Sequence, residues 1–284
     1  MIFGWLFYNQ LVKTASHSGA VFSYLYISNI QQQMTNKTAF ITGATSGIGK
    51  ATAQLLAKHQ FNLVLCGRRK ERLIQLEKEL ANLTEVTTLQ FDVRNKKEVF
   101  KAFESIPSEF KQIDVLINNA GNAHGLSSIQ DGSIEDWDAM IDINVKGLLY
   151  VSKAILPQMV KRNNGFIVNI GSIAGKEVYP NGNVYCASKF AVNALNKAMR
   201  IDLNQHNIRV SAIHPGAVET EFSDVRFKGD TEKAKNVYSG YNALQAEDIA
   251  EIIHFVITRP YHVNIEDLVV YPTAQANPTI LNKN

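Results

Sequence analysis

A doubly wound α/β fold, one open parallel sheet with helices on both faces, is what this sequence predicts. Three observations carry that prediction. From Thr38 onward, short apolar runs alternate with longer amphipathic stretches. Those short runs are apolar almost throughout, as strands buried on both faces of a parallel sheet are. A glycine-rich turn separates the first run from the first amphipathic stretch. The 284 residues suffice for one large domain.

"TAFIT" (38–42) reads as the first strand, followed by the turn and a helix through about His59. "NLVLC" (62–66) is a second strand, and "KERLIQLEKELAN" (70–82) places Leu73, Leu76 and Leu80 at helical spacing. "VTTLQF" (86–91) is a third strand and "KKEVFKAFESI" a third helix. "DVLIN" (114–118) precedes a long helix from about Ile134 to Lys161. "GFIVNI" (165–170) leads to another long helix over 184–205, and "IRVSAIH" (208–214) follows it. "AEDIAEIIHFVIT" (246–258) and "DLVVYP" (267–272) close the domain. Parallel crossovers are right-handed, so the helices fall on both faces, and ligands bind beyond the carboxyl ends of the strands. Neither an internal repeat nor a linker marks a second domain.

Composition excludes several classes. Apolar content of 45% and charged content of 19% are those of a globular protein. A net charge of +3 is too small to argue for nucleic acid. Cys66 and Cys186 form no CxxC pair and no histidine cluster, so they read as reduced thiols in a cytoplasmic protein, with no metal expected. Residues 1–34 differ from the rest: apolar and aromatic, with Lys13 the only Lys or Arg before Met34. Polar residues interrupt them before a membrane span is reached. No basic residue precedes the apolar stretch as a signal peptide requires. They read as an unstructured extension or an upstream start, with a weak membrane-surface anchor as the alternative.

The turn "TGATSGIG" (42–49) spaces Gly43, Gly47 and Gly49 as GxxxGxG. Glycine permits positive φ and lets the backbone approach a pyrophosphate, while the next helix offers free N–H groups and its positive dipole end. At the end of the second strand, where NAD-binding chains place an acidic residue for the ribose 2′-hydroxyl, stand Arg68 and Arg69. Guanidinium groups bind a 2′-phosphate bidentately. Cations at a helix start otherwise oppose its dipole, so NADP (NADPH) is expected over NAD.

Tyr185 and Lys189 stand four apart on a helix and share a face. A phenol titrates near pH 10, and bringing it near neutrality takes about 4 kcal/mol, which a neighbouring ammonium and a cationic ring would supply. General acid/base work needs such a value. Ser172, ending the fifth strand, is placed to hydrogen-bond a substrate oxygen.

Together TGATSGIG, Asp92, NNAG (118–121), Asn144, Ser172, Tyr185, Lys189 and the Pro215–Gly216 pair resemble the short-chain dehydrogenase/reductase family across residues 35 to 275. Singly, each has a duller reading: a helix face, a cap, a polar contact. The resemblance implies a Rossmann fold over 35–284 with a substrate lid at about 217–245, and a tetrad of Asn144, Ser172, Tyr185 and Lys189. It implies that Lys189 also holds the nicotinamide ribose and that Asn144 supports a water-linked proton relay. Cofactor contacts would come from Gly43, Thr45, Ser46, Gly47, Ile48 and Gly49 in the turn. Asp92 and Val93 would meet the adenine, Asn118, Ala120 and Gly121 the adenine ribose. Pro215, Gly216, Val218 and Thr220 would also contact the cofactor, Thr220 at the nicotinamide carboxamide. A homo-oligomer, tetramer or dimer, is also implied. His124 and His214 read as loop residues and Cys186 as packing.

The segment from Thr220 and the end "RPYHVNIEDLVVYPTAQ" resemble the subgroup that oxidises 3-hydroxy acids, serine and allo-threonine among them, with NADP, or reduces semialdehydes such as malonic semialdehyde. A carboxylate substrate needs a cation, and Arg226 is the candidate, Lys228 its alternative. Substrate contacts are thus expected from Ser172, Tyr185 and Arg226. Other readings stay open: a reductase of 3-oxoacyl thioesters or other carbonyls, a membrane-attached reductase, or a non-catalytic NADP-binding regulator.

Overall fold

Apolar runs become strands here because the inner ones lie between two helical layers. A computed structural model describes residues 36–283. The strands are β1 (Thr38–Thr42), β2 (Asn62–Gly67), β3 (Val86–Gln90), β4 (Val115–Asn118), β5 (Gly165–Ile170), β6 (Ile208–Pro215) and β7 (Asp267–Val270). They form one sheet in the order β3-β2-β1-β4-β5-β6-β7, every neighbouring pair parallel. This is the Rossmann arrangement expected from the sequence. The order reverses between β1 and β4, which opens a crevice at their carboxyl ends.

The helices are α1 (Gly47–Lys58), α2 (Lys70–Leu80), α3 (Lys96–Glu104), α4 (Ile134–Ile141), α5 (Leu148–Arg162), α6 (Asn183–Leu203), α7 (Phe222–Arg226), α8 (Thr231–Asn236) and α9 (Ala246–Ile257). Strand periodicity divides the core. Ala39 and Ile41 of β1 join a cluster with Leu56 of α1, Leu73 of α2 and Ile253 of α9. Phe40 between them faces the other cluster, with Val99 of α3, Ile155 of α5 and Val192 of α6.

The helix expected over 134–161 is corrected. It is α4 and α5 joined by a π-helical turn over Asp142–Gly147. Such turns insert a residue into a helix without changing its composition, and they recur at functional sites. This one carries Asn144. The 217–245 segment holds the short helices α7 and α8. No helix among the described residues is long and apolar enough to cross a membrane. The expectations for residues 1–34 lie outside the described residues.

Two histidines tie the fold to pH. His254 of α9 stacks on His59, the residue that caps the end of α1, with centroids 3.9 Å apart. Burial holds His254 down at about 4 and His214 of β6 likewise at about 4. The unfolded chain protonates such groups near 6.5. Between about 6.5 and 4 it therefore binds more protons than the folded chain, and stability falls as pH drops through that window. The urea midpoint should decline from pH 6.5 toward 4, with a shallower slope in His254→Gln. A midpoint constant over that range would contradict the account.

Candidate active site

A cavity of about 290 Å³ opens at the carboxyl ends of β1, β4, β5 and β6. Its floor is the glycine-rich turn. Gly43 (φ +67°) and Gly47 (φ +50°) hold the left-handed conformation that favours glycine. A Cβ at Gly49 would overlap the carbonyl oxygen of Gly43, so the turn can pack on α1 only with glycine there. The first turn of α1 contains no acidic residue, and the Ser46 side chain forms no capping hydrogen bond. The helix start thus leaves N–H groups for an anion.

Of the residues expected to contact cofactor, the cavity is lined by Gly43, Thr45, Ser46, Gly47, Ile48, Arg68, Arg69, Asp92, Val93, Ala120, Gly121, Tyr185, Lys189, Pro215, Gly216, Val218 and Thr220. Two expected contacts lie elsewhere. Gly49 sits beneath the turn. Asn118 is 4% exposed and points into the sheet, its Nδ2 donating to Ser152 Oγ and Asn169 Oδ1, each at 3.0 Å. Its neighbour Asn119 lines the cavity instead and donates to the Thr42 carbonyl at 2.9 Å.

The two arginines differ. Arg68 is half-exposed, its Nη1 3.9 Å from Asp92 Oδ2. Arg69 caps α2 and crosses the rim: it donates to Thr45 Oγ1, to Ser46 Oγ and, at 2.8 Å, to Glu221 Oε2. Arg72 donates to the same carboxylate at 2.6 Å. Partial burial opposes the charge of Glu221, but the hydrogen bonds from Arg69 and Arg72 prevail and hold its carboxyl below the usual range. Sequence reasoning missed Glu221, because its partners lie about 150 positions away.

The far wall carries the tetrad. Ser172 follows β5, and its Oγ accepts from the Ala174 amide at 3.1 Å, leaving its own proton to donate. Tyr185 and Lys189 project from the first turns of α6 and are 8% and 6% exposed. Lys189 Nζ donates to the Ile170 carbonyl at 3.0 Å and lies 6.0 Å from the Tyr185 ring centroid. Asn144 lies behind the cavity wall, clamped by bonds at 2.9 Å to the Asn122 amide, the Asn122 carbonyl and Ser188 Oγ. A Cβ at Gly121 would stand 2.9 Å from Asn144 Oδ1 and 3.5 Å from Lys189 Nζ. Glycine there keeps both polar atoms accessible.

Here burial works against one expectation. Burial pushes the Tyr185 phenol above its ordinary value, aided by Tyr179, and the Ser172 hydrogen bond and the Arg226 cation only partly offset this. Burial pushes Lys189 down to about 8. Desolvation of a phenolate outweighs the attraction of Arg226, so the side chains around Tyr185 do not by themselves draw its phenol toward neutrality.

A smaller cavity adjoins the first and is lined by His124, Trp137, Asn183, Tyr185 and Arg226, among others. Tyr185 lines both. Arg226 Nη2 donates to Tyr179 Oη at 3.0 Å, and its guanidinium lies 5.6 Å from the Tyr185 ring centroid. Among the described residues Arg226 has no acidic partner, whereas Lys228 pairs with Asp136 at 2.9 Å. Phe222 and Val225, from the same segment, roof the larger cavity. His124 stands in the loop after β4, 2.9 Å from Asn122. His214 is no loop residue: it is fully buried in β6. Cys186 is buried against Tyr185, Ala174 and Met140.

Residues 37–230 match the family model described as short chain dehydrogenase. The chain is 46% identical over 237 residues to NADP-dependent 3-hydroxy acid dehydrogenase YdfG of Salmonella typhi, covering 83% of this chain and 95% of that one. It is 44% identical over 237 residues to sulfoacetaldehyde reductase 2 of Chromohalobacter salexigens, covering 83% and 94%. Among solved structures it resembles the closed form of serine dehydrogenase complexed with NADP+, with a TM-score of 0.81, 43% identity and coverage of 84% and 96%.

Proposed function

The chain belongs to the short-chain dehydrogenase/reductase family, and from that premise we propose that it moves a hydride between NADP and a small 3-hydroxy acid. Serine, allo-threonine and 3-hydroxypropionate with its malonic semialdehyde partner are the type. Family membership and relatives named for NADP carry the coarser statement, an NADP-dependent oxidoreductase acting on a hydroxyl-bearing carbon. The acid rests on one observation. Tyr185 stands between the larger cavity and a smaller one that contains a guanidinium without an acidic partner. A 3-hydroxy acid spans that arrangement, its oxygen at Tyr185 and its anionic end at Arg226. Relatives named for a 3-hydroxy acid and for sulfoacetaldehyde both take small anions, which supports the reading.

The larger cavity fits the cofactor. The start of α1 would take the pyrophosphate, Arg68 and Arg69 the 2′-phosphate, and the two remaining N–H groups of Lys189 the ribose hydroxyls. Bound there, NADP supplies the nicotinamide ring that accepts or gives the hydride. Tyr185 Oη gives its proton to the substrate oxygen in reduction and, as the phenolate, takes the hydroxyl proton in oxidation. Ser172 Oγ donates a hydrogen bond to the same oxygen and stabilises its developing charge. Asn144, held by the π turn, fixes the Asn122 backbone beside Lys189 through both its amide and its carbonyl, and a water-linked relay there would return the proton. Phe222 and Val225, in the proposed lid, keep water off the reacting carbon.

Absorbance at 340 nm with NADP and serine, allo-threonine, 3-hydroxybutyrate, 3-hydroxypropionate and a neutral secondary alcohol tests the substrate class. Arg226→Ala should raise KM for the acids about ten- to hundredfold, the equivalent of one charge-assisted hydrogen bond. KM for neutral substrates should move much less. Equal effects on both would remove the carboxylate assignment while leaving the enzyme class intact.

A further inference from the structure

Behind Ser172 lies a histidine that the mechanism above does not use. His214, at the carboxyl end of β6, is fully buried. Its Nδ1 makes a hydrogen bond of 3.2 Å with the backbone carbonyl of Ser172. A carbonyl oxygen only accepts, so Nδ1 carries the proton. Nε2 lies 3.5 Å from Asp267 Oδ2 and forms no hydrogen bond there. Asp267 of β7 is bonded instead to Lys176 Nζ, which also donates to Asn193 Oδ1 on α6 at 3.1 Å. The ring thus stands at the centre of a polar cluster joining β6, β7, the turn after Ser172 and the helix that carries Tyr185 and Lys189.

Space is reserved for the ring. A Cβ at Gly171 would overlap His214 Nδ1, so glycine before Ser172 is what admits the imidazole. Ser172 is itself extended (φ −172°) and is pinned on one side by its own Oγ accepting from Ala174. With β5 ended at Ile170, the bond from His214 pins the other side.

We propose that His214 is a positioning residue: by donating from Nδ1 to the Ser172 carbonyl it fixes the Ser172 backbone, and so aims Ser172 Oγ at the substrate oxygen beside Tyr185. This rests on the role given to Ser172 under the proposed function. Reacting groups displaced by about 1 Å cost about a hundredfold in rate, so a backbone anchor has leverage on turnover without touching substrate.

Asparagine and glutamine separate the two ring nitrogens. The amide nitrogen of His214→Asn falls near Nδ1 and keeps the donor, whereas that of His214→Gln falls near Nε2 and does not. We expect kcat within about threefold of the parent for His214→Asn, and at least about tenfold lower for His214→Gln. NADPH affinity, read by fluorescence titration, should stay within about threefold in both, since neither variant alters a cofactor contact. Equal losses in the two variants, or the reverse order, would overturn the proposal. Should His214→Gln fail to fold, nitrogen-15 NMR of the parent decides: the Nδ1–H tautomer supports donation to Ser172 and the Nε2–H tautomer overturns it. Ser172→Ala is the control. If it retains full activity, the assigned role of Ser172 fails; if it loses activity while His214→Gln does not, this inference fails alone.

Discussion

Tyr185→Phe should lower kcat by about three orders of magnitude, within the range general acid/base catalysis contributes, while leaving NADPH binding close to that of the parent. The substitution removes one oxygen and little else. The ring keeps its neighbours: Phe222 at 5.7 Å, the Arg226 guanidinium at 5.6 Å and buried Cys186. Lys189 keeps its bond to the Ile170 carbonyl. Burial has already raised the phenol's pKa, so the lost group is a neutral hydroxyl and no charge is left unpaired. Thermal stability should therefore change little, since the Ser172 hydroxyl loses its bond to Tyr185 but keeps the one from Ala174. Steady-state rates at 340 nm with fluorescence titration of NADPH check both halves. A kcat within tenfold of the parent would show that another group moves the proton, and Tyr179, whose Oη contacts Arg226, would be the next residue to replace.

The direction of the Tyr185 shift is also where the sequence was least informative. Spacing puts Lys189 one helical turn from Tyr185, and from that alone an ammonium should draw the phenol down. Spacing does not report how deeply either side chain is buried. Once both are nearly sealed from water, desolvation dominates each: the phenol goes up and the ammonium comes down to about 8. Of the two cations the expectation named, the ammonium alone does not overcome burial, which leaves the cationic nicotinamide ring to favour the phenolate when oxidation needs it.

Other elements were legible to different degrees for reasons of range. The inner strands were readable because a parallel strand buried on both faces needs only its own apolar side chains, as Leu63, Val64 and Leu65 of β2 illustrate, whereas the edge strands β3 and β7 are only partly buried. The π turn at Asp142–Gly147 left no trace, since one inserted residue barely perturbs helical periodicity over the expected 134–161 span. Helices α7 and α8, of five and six residues, are too short to show a period. Adjacent asparagines in NNAG could not be assigned to faces, and the chain turns Asn118 inward and Asn119 toward the cavity. Tyr179, Glu221 and the anchoring bond of His214 depend on contacts across 47, about 150 and 42 positions. Such contacts exist only after folding.

The arginine pair sets the second large effect. Arg68→Asp with Arg69→Ile should weaken NADPH binding at least about a hundredfold and leave NADH binding level or improved. Two charge-assisted interactions with a 2′-phosphate are lost, each worth about 1.5–3 kcal/mol. The aspartate then faces a phosphate in NADPH, which it repels, and a hydroxyl in NADH, which it accepts from. Both changes suit α2, whose N-terminus now carries cations against its dipole. One structural cost is local: Arg69 also bonds Thr45, Ser46 and Glu221, so the rim loses a cross-link between the turn and α7. Glu221 keeps Arg72 at 2.6 Å, and these groups are 43% and 45% exposed, where an ion pair contributes little. A fall in affinity for both cofactors alike would therefore indicate damage to the turn. A fall confined to NADPH would indicate loss of the 2′-phosphate contact, and undiminished NADPH affinity would remove these arginines from cofactor selection.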